Sequence, residues 1–485
     1  MRYNILSVLA AALIVGIVAC SDLTSINKNP NGPTDVLPPS MLANAIQTVV
    51  SGIDGPNNNL DIRGGGLWVQ YYAEIQYRDE DKYIVRPGVD GGWGFYNDVL
   101  EDFQRMIAKG AAAGAPNWEG VGRIMKSYVF SVLTDAMGDI PYSEALKGDT
   151  ILTPKYDTQR DIYTALFADL TKASQQIDTS PGALYGFATG DNMYGGDMNE
   201  WRKFANSLRL RLALHLAKVD SATAHAQAQA AVAAGVFASN DDNAQLLYLA
   251  SSPNQNPVYT NVHQDNRDDY GMSKTYVDSL KSWNDPRLPV FAQLNKDTIL
   301  ANRTYEGLPN GLNDGEGPNL FYISRIGAFW RETPNAPLAL LTYSEVLFLE
   351  AEAAQRGWIT GNAATLYTQA IQASMQQYGV TDSATAAYLA DPRVQYNATT
   401  GLTQIWYQKW VSLFMQGMES WTEVRRTQVP TLVPGPRAKL ASIPERLPYA
   451  DDELVLNQAN VDAAVAAQGF ASSTDLTKPL WFTGR

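Results

Sequence analysis

Residues 337–379 read PLALLTYSEVLFLEAEAAQRGWITGNAATLYTQAIQASMQQYG, and their pattern decides the fold. Leu340, Tyr343, Leu347, Ala351, Ala354 and Trp358 recur at steps of three and four, the spacing of one helix face. Val346, Leu349 and Ala353 widen that face until little polar surface remains, so the helix belongs to an interior. Gly357 and the Thr360-Gly361-Asn362 cluster punctuate its end. A second helical pattern follows at once, which predicts a helical hairpin.

In that second helix Ala363, Tyr367 and Ala370 give A-x3-Y-x2-A, the pattern of the second helix of a tetratricopeptide repeat. Small alanines let antiparallel helices approach, and the tyrosine fills the groove between pairs. Working outward, residues 404–425 (QIWYQKWVSLFMQGMESWTEVR) predict one long helix with Trp406, Trp410, Phe414 and Trp421 on one side. Two more hairpins are predicted at about 96–137 and 160–219. In the second, Trp201, Phe204, Leu208, Leu212 and Leu216 form one stripe, and Arg209 and Arg211 are expected to pair with buried acceptors. Residues 68–77 (WVQYYAEIQY) read as an aromatic helix. Residues 237–337 change texture: Asn, Asp, Gly, Pro and Tyr dominate, with short apolar runs at 244–250 and 321–326. A loop-rich insertion of that length in a compact protein is usually functional. Pro430, Pro434, Pro436, Pro444 and Pro448 mark an ordered but irregular C-terminal cover. The expected fold is mainly α: hairpins at 96–137, 160–219, 338–379 and 404–426, a loop-rich insertion at 237–337, and few short strands. The hairpins do not repeat at one period, so no open solenoid is expected.

The N-terminus carries its own signal. Arg2 precedes an apolar run at 5–18 that is too short to span a bilayer as an anchor. It ends in Ile17-Val18-Ala19-Cys20, a lipobox with isoleucine where leucine is usual. Cys20 is the only cysteine of the 485 residues, as expected when its one task is to carry lipid. Residues 1–19 therefore read as a lipoprotein signal peptide, 20–39 as a Pro- and Asn-rich tether and 40–485 as a single domain. The formal net charge of −13 and the lack of a Lys/Arg run argue against a nucleic-acid partner.

Little catalytic chemistry is present. Three histidines and one spent cysteine make a His/Cys metal site a poor expectation. HExxH, Walker A, GxSxG and a strand-following GxGxxG are absent. His215 lies between leucines and reads as a packed core histidine. No cofactor is expected. Structural calcium at Asp191, Asp197, Asp314 or Glu316 is the one alternative, and turn formation accounts for those acids better.

The lipobox, Asn29-Pro30-Asn31 and three long stretches together resemble the SusD/RagB family of outer-membrane nutrient-binding lipoproteins. The stretches are 201–216 (WRKFANSLRLRLALHL), 341–358 (LTYSEVLFLEAEAAQRGW) and 408–426 (QKWVSLFMQGMESWTEVRR). The resemblance implies a non-enzymatic surface protein, lipid-anchored in the outer membrane, whose tetratricopeptide-like helices support a ligand face. It implies a SusC-like TonB-dependent transporter as partner and an oligosaccharide, or in some members a peptide, as ligand. A lipid-anchored glycan-cleaving enzyme and an envelope scaffold are the other readings. Ligand contacts vary within the family, so no binding residue carries over by motif. From composition alone, aromatics beside polar side chains mark two places. One holds Trp93 and Tyr83 with Tyr77, Arg78 and Asp79; the other holds Tyr270, Tyr305 and Trp330.

Each buried methylene of an acyl chain contributes about 0.8 kcal/mol to anchoring, so several chains make it stable. Cys20→Ala is expected to move the protein from the outer-membrane fraction to the soluble fraction. Continued sedimentation with the outer membrane would refute the lipobox reading.

Overall fold

The computed structural model of the chain describes residues 36–53, 60, 64–85, 92–180 and 190–485. Cys20, the signal segment and the Asn29-Pro30-Asn31 segment lie outside them. Helix α1 (Pro38–Ile53) begins just inside the expected tether, and a single turn α2 (Gly66–Trp68) leads to strand β1 (Tyr72–Glu74). Helices α3 (Glu101–Ala113) and α4 (Pro116–Met137) make the first hairpin, followed by β2 (Ile140–Pro141) and β3 (Tyr156–Asp157). The second hairpin is α5 (Gln159–Gln176) and α6 (Met198–His215), with α7 (Ser221–Ala234) packed on α6. The insertion holds β4 (Ala244–Leu246), α8 (Pro257–His263), β5 (Tyr270–Met272), α9 (Lys274–Ser282), α10 (Leu288–Phe291) and α11 (Ala328–Arg331). Then come β6 (Leu338–Leu341), α12 (Tyr343–Gln355), α13 (Ala363–Gln377), α14 (Asp382–Leu389), α15 (Gly401–Ser412) and α16 (Gly417–Thr427). Two last helices, α17 (Asp451–Leu456) and α18 (Gln458–Gln468), lie in the C-terminal cover. The fold is thus mainly helical with few short strands. The named strands form three two-stranded antiparallel sheets: β1–β5, β2–β3 and β4–β6.

The hairpins close as their small residues require. A Cβ on Gly110 of α3 would stand 2.5 Å from the Glu119 amide nitrogen of α4, so only glycine permits that approach. Ala351, Ala370 and Ala373 are buried in one cluster where α12 and α13 pack, and the Ser344 hydroxyl donates to the Ala370 carbonyl at 2.9 Å.

Four expectations need correction. Residues 338–341 are a strand rather than the first turn of α12, because all four side chains are buried and the backbone pairs with β4. Residues 68–77 are not a helix. Helicity ends at Trp68, Gln70 takes a left-handed φ of 60°, and Tyr72–Glu74 pair with β5 instead. Residues 404–425 form two helices, α15 and α16, with Met415 at a φ of 71° in the elbow between them. The C-terminal cover is less irregular than its prolines suggest, since α17 and α18 stand within it.

At the centre, the three stretches singled out in the sequence meet through buried charges. Arg211 of α6 pairs with Glu345 of α12 at 2.6 Å and lies 3.4 Å from Glu419 of α16. Lys409 of α15 reaches Glu419 at 3.4 Å and Glu423 at 3.5 Å. One helical face along, Glu352 pairs with Arg426 at 2.7 Å and accepts from the Trp406 indole at 2.7 Å. Burial alone would push the Glu352 carboxyl up, but Arg426 and Arg356 hold it down at about 2. His215, buried at the end of α6, faces Asp135 and Glu419 at 3.2 Å each, and its Nδ1 also meets the Tyr163 hydroxyl at 3.0 Å. Ligand atoms of His215, Glu419 and Glu423 lie within 4.8 Å of one another, but Arg211 and Lys409 already neutralise those carboxylates.

Burial alone would lower the His215 pKa; the Glu419 and Asp135 carboxylates overcome it and raise the imidazole to about 9. A histidine raised above its unfolded value of about 6.5 adds its full stabilisation below that pH and loses it as pH rises through the folded value. Stability is therefore expected to fall between about pH 6.5 and 9, by roughly 3–4 kcal/mol from this group. The measurement is Tm against pH for the native chain and for His215→Gln. An equal slope for both would remove His215 as the cause.

Candidate ligand-binding site

The β1–β5 ribbon positions the loop-rich face. Its register sets Tyr72 opposite Met272 and Glu74 opposite Tyr270. Alternation puts Ala73 and Ile75 on one side, packed with Leu308 and Ile323. Gly271 lies on that side as well, and a Cβ there would meet Ile323 at 2.9 Å. Tyr72 goes the other way, into the main core, where its ring meets Phe414 edge-on with centroids 5.5 Å apart.

Three loops hang from this ribbon. The first leaves β1 and carries Tyr77, a non-glycine at a φ of 57°, with its side chain outside. The second precedes β5. There Arg267 stands 5.8 Å from the Tyr77 ring centroid and pairs with Asp269, which also accepts from Gln76. The third is residues 319–324. The Asn319 side chain caps its turn through the Phe321 amide at 3.0 Å. The Met272 amide donates to the Ser324 carbonyl at 2.9 Å, which ties this loop to β5. Phe321 and Tyr322 project from it, 63% and 47% exposed, and Tyr77 on the first loop is 56% exposed. Among the described residues no other aromatic side chain is exposed to that degree. All three therefore stand on loops bound to one ribbon, and a ring left in water is a feature of binding surfaces.

The loops are held from below. Arg78 is buried and donates to the carbonyls of Ile75 at 3.1 Å, Asn313 at 2.8 Å and Glu316 at 2.9 Å. The Asp81 carboxylate accepts the Glu74 backbone N–H at 2.9 Å, and the Glu74 carboxyl accepts that of Asp81 at 3.1 Å. Asn310 bridges the Tyr72 carbonyl at 2.7 Å and the Asp81 carboxylate at 2.6 Å. Burial, then the nearby Asp81 charge, pushes Glu74 up to about 10, so it is neutral at pH 7. Burial likewise raises Asp81, to about 7 against the pull of Asn310. Asp268 joins Arg325 at 2.9 Å to Arg331 at 2.8 Å and staples two further parts of the insertion together.

The side chains marked from sequence separate. Tyr77, Tyr270 and Tyr305 belong to this face: Tyr270 is half-buried on β5, and Tyr305 precedes Glu306, which exchanges hydrogen bonds with Ser324 at 3.0 and 2.8 Å. Asp79 stays partly exposed and pairs with Lys82 at 3.2 Å. Arg78, Tyr83 and Trp330 are only 3%, 5% and 1% exposed, so none offers a ring face or a free guanidinium to a ligand on this surface. Trp330 is packed against Phe414, Phe291, Tyr378 and Phe329 in the aromatic core. Trp93 is elsewhere, stacked 6.1 Å from Tyr156 and beside Tyr96 and Tyr449. Arg267, Phe321 and Tyr322 were not marked. Their signal was two adjacent aromatics following a Gly- and Asn-rich turn, which reads equally well as the start of an apolar strand.

Three of the four acids weighed for calcium have other work. The Asp191 carboxylate accepts from the Met193, Tyr194 and Gly196 amides and the Trp201 indole. Asp197 caps α6. The Arg437 guanidinium holds the Glu316 carboxyl down at about 2.

The structure is a helical scaffold that carries a loop-rich face with exposed aromatic rings. A family model described as SusD-like_2, "Starch-binding associating with outer membrane", matches residues 30–450, and the chain belongs to this SusD-like family. A solved chitin-binding protein is 30% identical, with a TM-score of 0.81 over 92% of this chain and 99% of that one. A SusD homologue from Bacteroides fragilis is 26% identical, with a TM-score of 0.80 over 93% and 100%. A chitin-binding SusD homologue from Flavobacterium johnsoniae is 25% identical, with a TM-score of 0.79 over 92% and 98%. No curated protein sequence matches. No helix among the described residues is long and apolar enough to cross a membrane.

Arg78→Met keeps the buried stem and removes its hydrogen bonds to three carbonyls. The expected cost is about 1–3 kcal/mol of stability, because buried acceptors lose their partner. Hydrogen exchange should quicken around residues 312–317 and stay slow in α12 and α13. Uniform exchange across both regions would show that Arg78 does not pin this loop.

Proposed function

We propose that this chain is a lipid-anchored, surface-exposed outer-membrane protein that binds an oligosaccharide on the Tyr77, Phe321, Tyr322 face. It delivers that ligand to a SusC-like TonB-dependent transporter, and Cys20 is the anchor. The observation that carries the reading is the gathering of the exposed aromatic rings on loops of one ribbon. A pyranose presents an apolar C–H face edged by hydroxyls. Rings take the face, and the exposed Arg267 and Gln76, both held by the buried Asp269, supply polar groups for the edge. Family membership supports the same reading, as do two chitin-binding relatives among the solved structures.

Binding is favoured over glycan cleavage. A glycosidase needs two carboxyls at the scissile bond, one of them with a raised pKa. The displaced carboxyls beneath this face, Glu74 and Asp81, are each 2% exposed and spend oxygens on each other's backbone. They hold the loop rather than face a substrate.

The test titrates starch-derived and chitin-derived oligosaccharides against the native chain, Tyr77→Ala and Phe321→Ala. Covering one ring face contributes on the order of 1–2 kcal/mol, so each substitution should weaken binding about ten-fold. Both side chains are exposed, so Tm should stay nearly unchanged. Unaltered affinity in both variants would move the site, and binding of peptides with none of glycans would reassign the ligand.

A further inference from the structure

A separate cavity of about 270 Å³ lies where α11, the start of β6, the end of α13 and the α15–α16 elbow converge. Its floor is aromatic, made by Trp330, Tyr378 and Phe414. Six of its fourteen lining residues are Asn or Gln, and none is charged. Gln376 at its mouth is exposed, so the cavity opens to solvent. Gln416, which also borders the narrow space around Arg211 and His215, is only 3% exposed, and its Oε1 has no hydrogen-bond partner. The Asn240 Oδ1 at the same cavity has none either, although its Nδ2 donates to the Ala373 carbonyl at 3.0 Å. A buried amide oxygen without a donor is costly, about 1–3 kcal/mol, and a rotation of either side chain would turn its oxygen into the cavity that both residues line, toward a donor supplied from outside. Gln416 sits directly after Met415, whose left-handed φ of 71° turns the elbow here. An aromatic floor with a ring of neutral amides suits a neutral ring that has an apolar face and hydroxyl or amide N–H groups on its edge. Sites for larger drug-sized ligands run from about 300 to 1,000 Å³, so one sugar ring fits and a chain does not.

We propose that this cavity is a second carbohydrate subsite, distinct from the exposed aromatic face, that takes a single neutral sugar unit with Gln416 and Asn240 as acceptors. The proposal rests on the carbohydrate reading above and deepens it: one face holds a chain, and the cavity holds one ring. The absence of a charged side chain in the lining sets its specificity against acidic sugars and amino acids, whose charge would be desolvated without a partner.

The full-length protein in mild detergent is titrated with glucose and with N-acetylglucosamine, by heat and by indole fluorescence. Trp330 reports occupancy from the cavity floor. Saturable binding of at least one sugar is expected. Gln416→Leu removes one acceptor and should weaken it about five- to ten-fold. Gln376→Ala, at the exposed mouth, should weaken it without touching the fold. Tyr77→Ala should leave it unchanged. No saturable binding of either sugar overturns the proposal, and so does binding that survives both cavity variants or disappears in Tyr77→Ala. Oligosaccharide binding is measured on the same variants. Its loss in Tyr77→Ala with single-sugar binding retained supports both sites. Oligosaccharide binding without single-sugar binding overturns the cavity alone, and no binding of either overturns the carbohydrate reading itself.

Discussion

Glu345 and Glu352 stand seven residues apart on α12, on one face of the helix, and neither can be buried alone. A carboxylate taken out of water costs several kcal/mol, and only well-placed cations repay it. Arg211 comes from α6 and Arg426 from α16, so the two acids are satisfied only when three distant segments are in place together. Removing one partner should cost about 3–5 kcal/mol, since the other charge stays buried. A greasy substitute could supply equal stability without that requirement. The charges therefore fix which helices are neighbours, and they explain why the three stretches that mark the family in sequence are those that meet in space.

That fixed centre is what gives the loop-rich insertion a place to stand. The elbow after α15 places Phe414 between Tyr276, stacked at 5.3 Å, and Trp330 at 5.3 Å, both contributed by the insertion. Tyr71 and Tyr72 enter the same cluster, and the Tyr71 hydroxyl donates to Ser420 at 2.7 Å. From Tyr72 it is one short strand to the left-handed turn at Tyr77. The order of construction runs from buried ions to aromatic core, then to ribbon, then to exposed ring. Few degrees of freedom remain at the last step. Loops held in that way lose less entropy when a ligand arrives, which raises affinity without adding contacts.

The helical scaffold was legible because a wide apolar stripe at a period of 3.6 residues has one reading, and α12, α13 and α6 carry it plainly. Short runs were not. Leu338–Leu341 is buried on every residue, and such a run cannot be told from a helix turn until its partner β4 is known. The aromatic stretch 68–77 failed for a similar reason. Tyr72 goes into the main core while Ala73 and Ile75 go to the small cluster around Ile323, an alternation set by β5, almost two hundred residues away. The break at Met415 had no proline or glycine at its centre; a left-handed methionine is a tertiary choice.

The site divided along the same line. Tyr77 and Trp330 look alike in sequence, each a ring beside an arginine in a loop-rich stretch. What separates them is how many elements converge on each. Trp330 lies on α11, where Phe291, Tyr378 and Phe414 close over it from three segments. Tyr77 leaves the ribbon at a positive φ, an arrangement that β5 and the Arg78 anchor impose on a non-glycine. Its exposure is therefore held by structure rather than left over from poor packing. An apolar ring kept in water by a left-handed turn gains when something covers it. A flat sugar face meets that condition without asking the loops to move.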